Sequence, residues 1–261
     1  MKRTTRWILL LLAFLALTAI FAGASLYAMQ DQLLYPGAQA TRPFGDLRVQ
    51  RADGVMRGWI LHPEAGDALV VFGGNGMSLS RYAPRLEQCT TRAVYLMPYR
   101  GYEGQMGRPR ERDFVADGIA LVDEIKKTHA RVGILGISIG TGVATQVAAA
   151  RKPDMLWLVT PYDKMTRVAD DNMHGLPVSL IMHDHFDSDV AAQKLGGVPV
   201  IVLQANHDEV IPAGRTEALV RALPQPPVAW LHVDAGHNTI LSADALCASL
   251  RQRTASDSPT P

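Results

Sequence analysis

Polar and apolar residues follow two regimes along this chain. From Trp7 to Gln30 no charged residue occurs; Lys2, Arg3 and Arg6 precede the stretch and Asp31 ends it. A helix crosses a bilayer core with about 20 apolar residues, whereas the apolar part of a secretory signal usually has about 7–15. The length therefore predicts an N-terminal transmembrane helix in residues 1–30, retained as an anchor. Ala22-Gly23-Ala24 has the form of a signal-peptidase site, so a cleaved signal is the alternative. In both cases the leading positive charges stay on the cytoplasmic side and the body lies across the membrane.

Beyond the anchor, short apolar runs alternate with longer amphipathic segments. Leu47–Gln50 and Val55–Leu61 flank Ala52-Asp53-Gly54 and predict a hairpin. Strands are predicted at Ala68–Phe72, Ala93–Met97, Arg131–Ile137, Met155–Val159, Val198–Leu203 and Val228–Val233. Most of these are apolar without alternation, as buried parallel strands are. Helices are predicted at Leu79–Cys89, Asp113–Lys127, Ile139–Ala150, Thr216–Ala222 and Ala243–Arg251. In the second of these, Phe114, Gly118, Leu121, Val122 and Ile125 recur at helical spacing. The register predicts an α/β fold, a mostly parallel central sheet with helices on both faces. Residues 31–253 form one domain in this reading. Thr160–Gly197 is too long for an ordinary connection and is expected to be a lid-like insertion at the carboxyl edge of the sheet. The Ser/Thr/Pro-rich residues 254–261 are expected to form a flexible tail.

Composition narrows the function. The 261 residues carry a formal net charge of +1, and the body has no long run of Lys or Arg. That excludes an extended nucleic-acid surface, which needs clustered positive charge. The two cysteines, Cys89 and Cys247, are too few for a zinc knuckle or a disulfide-dense scaffold.

Gly136-Ile137-Ser138-Ile139-Gly140 matches G-x-S-x-G between a predicted strand and a predicted helix. That context suits a nucleophilic serine on a sharp turn, where larger flanking side chains would collide. A serine hydroxyl needs a base. Among eight histidines, His237 follows the last strand, in Asp234-Ala235-Gly236-His237-Asn238. The acid that orients it should lie between the two, after a strand. Asp208, in Asn206-His207-Asp208-Glu209-Val210-Ile211-Pro212, fits; Glu209, Asp163, Asp184 and Asp187 are its rivals. Phe72-Gly73-Gly74-Asn75-Gly76 follows the first parallel strand, where small residues let a backbone N–H approach an oxyanion, with a second donor at Ile139. No Gly-Lys-Ser/Thr follows it, which excludes a P-loop. His183-Asp184-His185-Phe186-Asp187-Ser188-Asp189 could be read as a metal site. It is taken instead as a polar lid segment, because acyl transfer at serine needs no metal. No cofactor is expected.

With these residues in place, the chain resembles the Bem46-like, membrane-anchored α/β-hydrolases. The resemblance rests on the N-terminal helix, Leu34-Tyr35-Pro36, Gly74-Asn75, Tyr99-Arg100-Gly101-Tyr102, the Gly-Ile-Ser-Ile-Gly elbow, Asp208-Glu209-Val210-Ile211-Pro212 and Gly236-His237-Asn238. It spans Leu34 to the last helix. It implies the α/β-hydrolase fold, a Ser138–His237–Asp208 triad, and an oxyanion hole from the Asn75 and Ile139 N–H groups. Two positions depart from the pattern: Gly73 stands where the family has His, and Glu103-Gly104-Gln105 stands where it has Gly-x-Ser. The expected function is a membrane-anchored hydrolase of a small-molecule or lipid-like acyl ester or thioester. An amidase or peptidase of the same fold, and a non-catalytic tethered binding protein, are the alternatives. The first and last helices of this architecture often share a face of the sheet, so Cys89 and Cys247 are candidates for a disulfide in an oxidising compartment.

Overall fold

The computed structural model describes residues 3–51, 53–173 and 178–251. The tail expected at 254–261 lies outside the described residues, as do residues 174–177 of the insertion.

The apolar runs become strands β1 (Leu47–Arg51), β2 (Gly54–Leu61), β3 (Asp67–Phe72), β4 (Ala93–Leu96), β5 (Arg131–Ile137), β6 (Met155–Val159), β7 (Val200–His207) and β8 (Ala229–Gly236). They form one sheet in the order β1-β2-β4-β3-β5-β6-β7-β8. β1 and β2 are antiparallel, as is the β2–β4 pair; from β4 through β3 to β8 all pairs are parallel. The parallel strands are apolar on both sides because both sides are covered. Val132, Ile134, Leu156, Leu158, Val200 and Val202 belong to one core. Leu135, Ile137, Met155, Trp157, Ile201 and Leu203 belong to the other.

The helices divide between these cores. α3 (Glu111–Ile125), α4 (Ile139–Arg151) and α7 (Ala213–Ala222) cover the first face, while α2 (Leu79–Cys89) and α8 (Asp244–Arg251) cover the second. Among its described residues the insertion contains the short α-helices α5 (Met165–Asn172) and α6 (Ser188–Ala192), which join the first core through Met165, Val168 and Ala192. β7 and β8 run several residues past their expected ends, through buried Gln204 and Ala205 to exposed Asn206 and His207 in β7 and to Gly236 in β8. Ala205 and Ala235 of these extensions still pack with the second core.

The N-terminal helix α1 (Arg3–Leu34) is unbroken. Its segment Arg3–Gln32 is long and apolar enough to cross a membrane, and its most apolar 18-residue window, with mean hydropathy 2.5, is not buried inside the body. The helix runs past residue 30 through Leu34, and its last turn is held by the body. Asp31 pairs with Arg110 and with His183, and the next residue out, Tyr35, donates from its hydroxyl to Asp184 at 2.6 Å.

Cys89 of α2 and Cys247 of α8 form a disulfide, with Cα atoms 4.4 Å apart. The bond closes a loop of 158 residues. A loop of that length removes much entropy from the unfolded chain. Replacing both cysteines by serine is expected to cost about 2–5 kcal/mol of unfolding free energy, measured by denaturant titration of the full chain in detergent. Wild type treated with reductant should fall to the level of the variant.

Candidate active site

The strand order places two loops side by side at the carboxyl edge of the sheet. The chain leaves β3 toward β4 and returns to β5 on the other side, so the order reverses between β3 and β5. A crevice opens at the carboxyl ends of strands at such a reversal. Phe72 pairs with Gly136, which sets Gly73-Gly74 beside Ile137-Ser138.

Ser138 sits at the turn from β5 into α4 with φ 51° and ψ −120°. This left-handed conformation is strained for a residue with a Cβ. Two surroundings hold it: the Ser138 N–H donates to Val159 O at 2.9 Å, and its carbonyl accepts from Thr141 N–H and Thr141 Oγ1 at 2.8 and 2.7 Å. The flanking glycines are needed for contact as well as for turning. A Cβ on Gly140 would lie 2.2 Å from the Phe72 carbonyl oxygen, and one on Gly136 would lie 2.7 Å from Ala144 Cβ. α4 therefore packs its first turn directly on the backbone of β3.

The other two predicted side chains arrive by register. His207 of β7 pairs with Gly236 of β8, so the next residues, Asp208 and His237, emerge together. His237 Nδ1 lies 2.9 Å from both Asp208 carboxylate oxygens, and His237 Nε2 lies 3.0 Å from Ser138 Oγ. Asp208 is oriented in turn by the Val210 and Ile211 N–H groups, which donate to its Oδ1 at 2.9 and 2.7 Å. Ser138 and His237 are each only 9% exposed. The arrangement gives a hydroxyl a hydrogen-bonded imidazole and gives that imidazole an acceptor on its far nitrogen.

The rival acids turn elsewhere. Glu209 accepts the His237 backbone N–H at 3.1 Å, and that bond holds its carboxyl below the usual range. Asp163 pairs with Arg167 and Arg215, Asp184 with Tyr35, and Asp187 with Lys164. His183 and His185 do not converge: His183 Nε2 meets Asp31, while His185 Nε2 meets the Met182 carbonyl.

Of the two residues expected to bind an oxyanion, Ile139 opens α4 next to Ser138. Asn75 lies in the loop whose Gly74 sits beside the serine, where a Cβ would be in ordinary contact at 3.6 Å from Ser138 Cβ. The Asn75 side chain is engaged by Tyr102, whose hydroxyl donates to Asn75 Oδ1 at 2.8 Å.

That contact belongs to a clamp whose members do not stand out in the sequence as site residues. Tyr99 is stacked on Phe114 and donates to the Gly73 carbonyl at 3.0 Å. Burial pushes the Tyr99 phenol well above its usual range and that of Tyr102 up to about 12, so both remain donors at neutral pH. Arg100 grips Asp117 of α3 through two hydrogen bonds of 2.8 Å. Glu103, only 2% exposed, accepts from the Leu79 and Ser80 N–H groups at 2.9 and 3.0 Å and from the Ser78 and Ser80 hydroxyls at 2.8 and 2.5 Å. It thus satisfies the free N–H groups that open α2, immediately after the Gly73–Gly76 loop. The departure at Glu103 has this structural cause.

No family model matches the chain. An uncharacterized protein of Mycobacterium tuberculosis, found in strains CDC 1551 and H37Rv, is 30% identical over 247 residues, which cover 87% of this chain and 86% of that protein. The chain belongs to the same family as these mycobacterial proteins. Among solved structures, the esterase Pf2001 of Pyrococcus furiosus superposes with a TM-score of 0.64 at 16% identity, over 80% of this chain and 90% of that one. Est1E of Butyrivibrio proteoclasticus, with ferulic acid bound, gives 0.63 at 14% identity, over 78% and 98%. The enol-lactonase of Burkholderia xenovorans gives 0.59 at 18% identity, over 78% and 98%. The fold of this family member is that of the α/β-hydrolases.

Two stability measurements test the local argument. Ser138→Gly should be more stable than Ser138→Ala by about 1 kcal/mol, since only glycine relieves the positive φ. Glu103→Ala, which strands buried donors at the start of α2, should cost about 2–4 kcal/mol. Both are read from denaturant midpoints.

Proposed function

We propose that the protein is a membrane-anchored serine hydrolase that cleaves an acyl ester or thioester. The observation that carries this reading is the unbroken hydrogen-bond chain from Asp208 through His237 to Ser138, held at the carboxyl edge by the strand register. The shared fold with proteins named as esterases and as an enol-lactonase supports it.

In the proposed reaction Ser138 Oγ attacks the acyl carbon while His237 Nε2 takes the hydroxyl proton. The carbonyl electrons move onto oxygen. The backbone N–H groups of Asn75 and Ile139 receive that oxyanion, and the N-terminal end of α4 adds its favourable field. Collapse expels the alcohol or thiol, which leaves with the proton from His237. A water then attacks the acyl-enzyme, again losing its proton to His237, and the acid is released as that proton returns to Ser138 Oγ. Asp208 keeps the imidazole in the tautomer that accepts at Nε2 and stabilises the imidazolium.

The proposed setting is the outer face of a membrane, with α1 as a single span. Arg3 and Arg6 precede the apolar stretch and favour a cytoplasmic N-terminus. The Cys89–Cys247 bond suits the oxidising side.

The test is turnover of p-nitrophenyl esters by the full chain in detergent, with fluorophosphonate labelling in parallel. Ser138→Ala should lose at least about a thousandfold in kcat and all labelling, and Asp208→Asn about ten-thousandfold in kcat. Turnover that persists in Ser138→Ala would remove the serine mechanism.

A further inference from the structure

Between α1 and the insertion lies a cavity of about 270 Å³. Leu26 and Leu34 of α1 form one wall, and Met165, Val168 and Ala169 of α5, with Met182, form the other. Met173 and Ile181 also line it, and Gln30 and Asn172 supply its polar groups, which are engaged. Gln30 Oε1 accepts the His183 N–H at 3.0 Å and its Nε2 donates to the Tyr27 carbonyl at 2.9 Å. Asn172 Nδ2 meets the Val168 and Val210 carbonyls at 2.9 and 3.0 Å. A cavity of this size with its polar groups engaged offers water few partners and suits an apolar guest.

We infer that this cavity holds the hydrocarbon tail of a long-chain acyl substrate that enters from the bilayer. The inference rests on the hydrolase reading above and names its substrate class.

Three observations carry it. Leu26, Gln30 and Leu34 recur every four residues, so one face of α1 lines the cavity. The face of α1 away from it is exposed, and above Leu26 the helix continues into the apolar stretch suited to a bilayer. A tail in the cavity is therefore continuous with the hydrocarbon phase that the helix would occupy. Second, the opening is propped. The Asp31–Arg110, Asp31–His183 and Tyr35–Asp184 contacts fix the end of α1 against the body, so the helix cannot settle onto α5 and close the space. Third, one lining residue is tied to the turn that holds Asp208. Asn172 bonds the Val210 carbonyl, and the Val210 N–H donates to Asp208.

The experiment uses the full chain in detergent micelles with p-nitrophenyl esters from acetate to palmitate. Wild type should prefer the long esters, and Ala169→Trp, which fills the cavity, should lower the palmitate-to-acetate ratio of kcat/KM by about tenfold or more. An unchanged ratio would overturn the inference. A second measurement needs no turnover: Ser138→Ala is irradiated with a palmitic acid bearing a terminal diazirine, and the crosslinks are mapped. Adducts at Leu26, Gln30, Leu34, Met165–Met173, Ile181 or Met182 support the cavity as the tail site; adducts confined to the rest of the apolar stretch or to other surfaces overturn it. If no ester is turned over and fluorophosphonate does not label Ser138, the hydrolase reading fails, while the crosslinking result still decides the cavity.

Discussion

The carboxyl edge depends on how closely α4 approaches the ends of β3 and β5. With Gly140, the first turn of the helix rests on the Phe72 carbonyl at a distance no side chain would permit. That approach bends the chain sharply enough to leave Ser138 at φ 51°. It also sets the free N–H groups at the start of α4 against the Gly73–Gly76 loop. The strain at Ser138 persists because the contacts around it are over-determined: Val159 and Thr141 hold its backbone, and both cores bury its neighbours. A strained serine between two small-residue segments is thus a consequence of packing, and the hydrogen bond to His237 is added to a geometry already fixed.

How much of this could be read in the sequence follows from the range of each interaction. The G-x-S-x-G turn, the histidine after the last strand and Asp208 after β7 are legible because each is a local pattern next to an apolar run. Their convergence needs only that parallel neighbours be in register, and the pairing of His207 with Gly236 meets that condition. The segment from Tyr99 to Glu103 is visible as part of the resemblance, but what it clamps is not legible. Its partners are Gly73, Asn75 and Ser78–Ser80, which come close only because β4 lies next to β3. Tyrosines and a glutamate in a Gly-rich loop carry no signal that they face inward. The same holds for α5 and α6, whose polar sequence hides short helices that pack by a few residues each.

The clamp changes the meaning of the departure at Glu103. A buried carboxylate is costly unless its oxygens are fully bonded, and here four donors converge on it. All four come from the turn that opens α2, and Tyr99 and Tyr102 hold the loop just before it. The segment that would bind an oxyanion is therefore fixed from both sides by one stretch of chain, and that stretch is tied to α3 by Arg100. An oxyanion donor is useful in proportion to how little it moves during reaction. In this family member, rigidity of the loop comes from neighbouring side chains and not from its own glycine-rich sequence.

The junction of α1 with the body extends the argument to the membrane. A helix that served only as a tether would leave the body through a flexible linker, free to turn in any direction. Here the last turn of α1 is bonded through Gln30 and Asp31, and Tyr35 just beyond it reaches Asp184. His183 and Asp184 lie in the insertion, which also supplies α5 and, through Asn172, touches the turn that holds Asp208. Glu111 of α3 fixes the same segment by accepting the His185 and Phe186 N–H groups at 2.7 and 2.9 Å. The insertion is therefore braced between the apolar helix and the acid turn. Were α1 to cross a bilayer, a body coupled to it in this way would present one chosen face to the membrane, set by the contacts of Gln30, Asp31 and Tyr35.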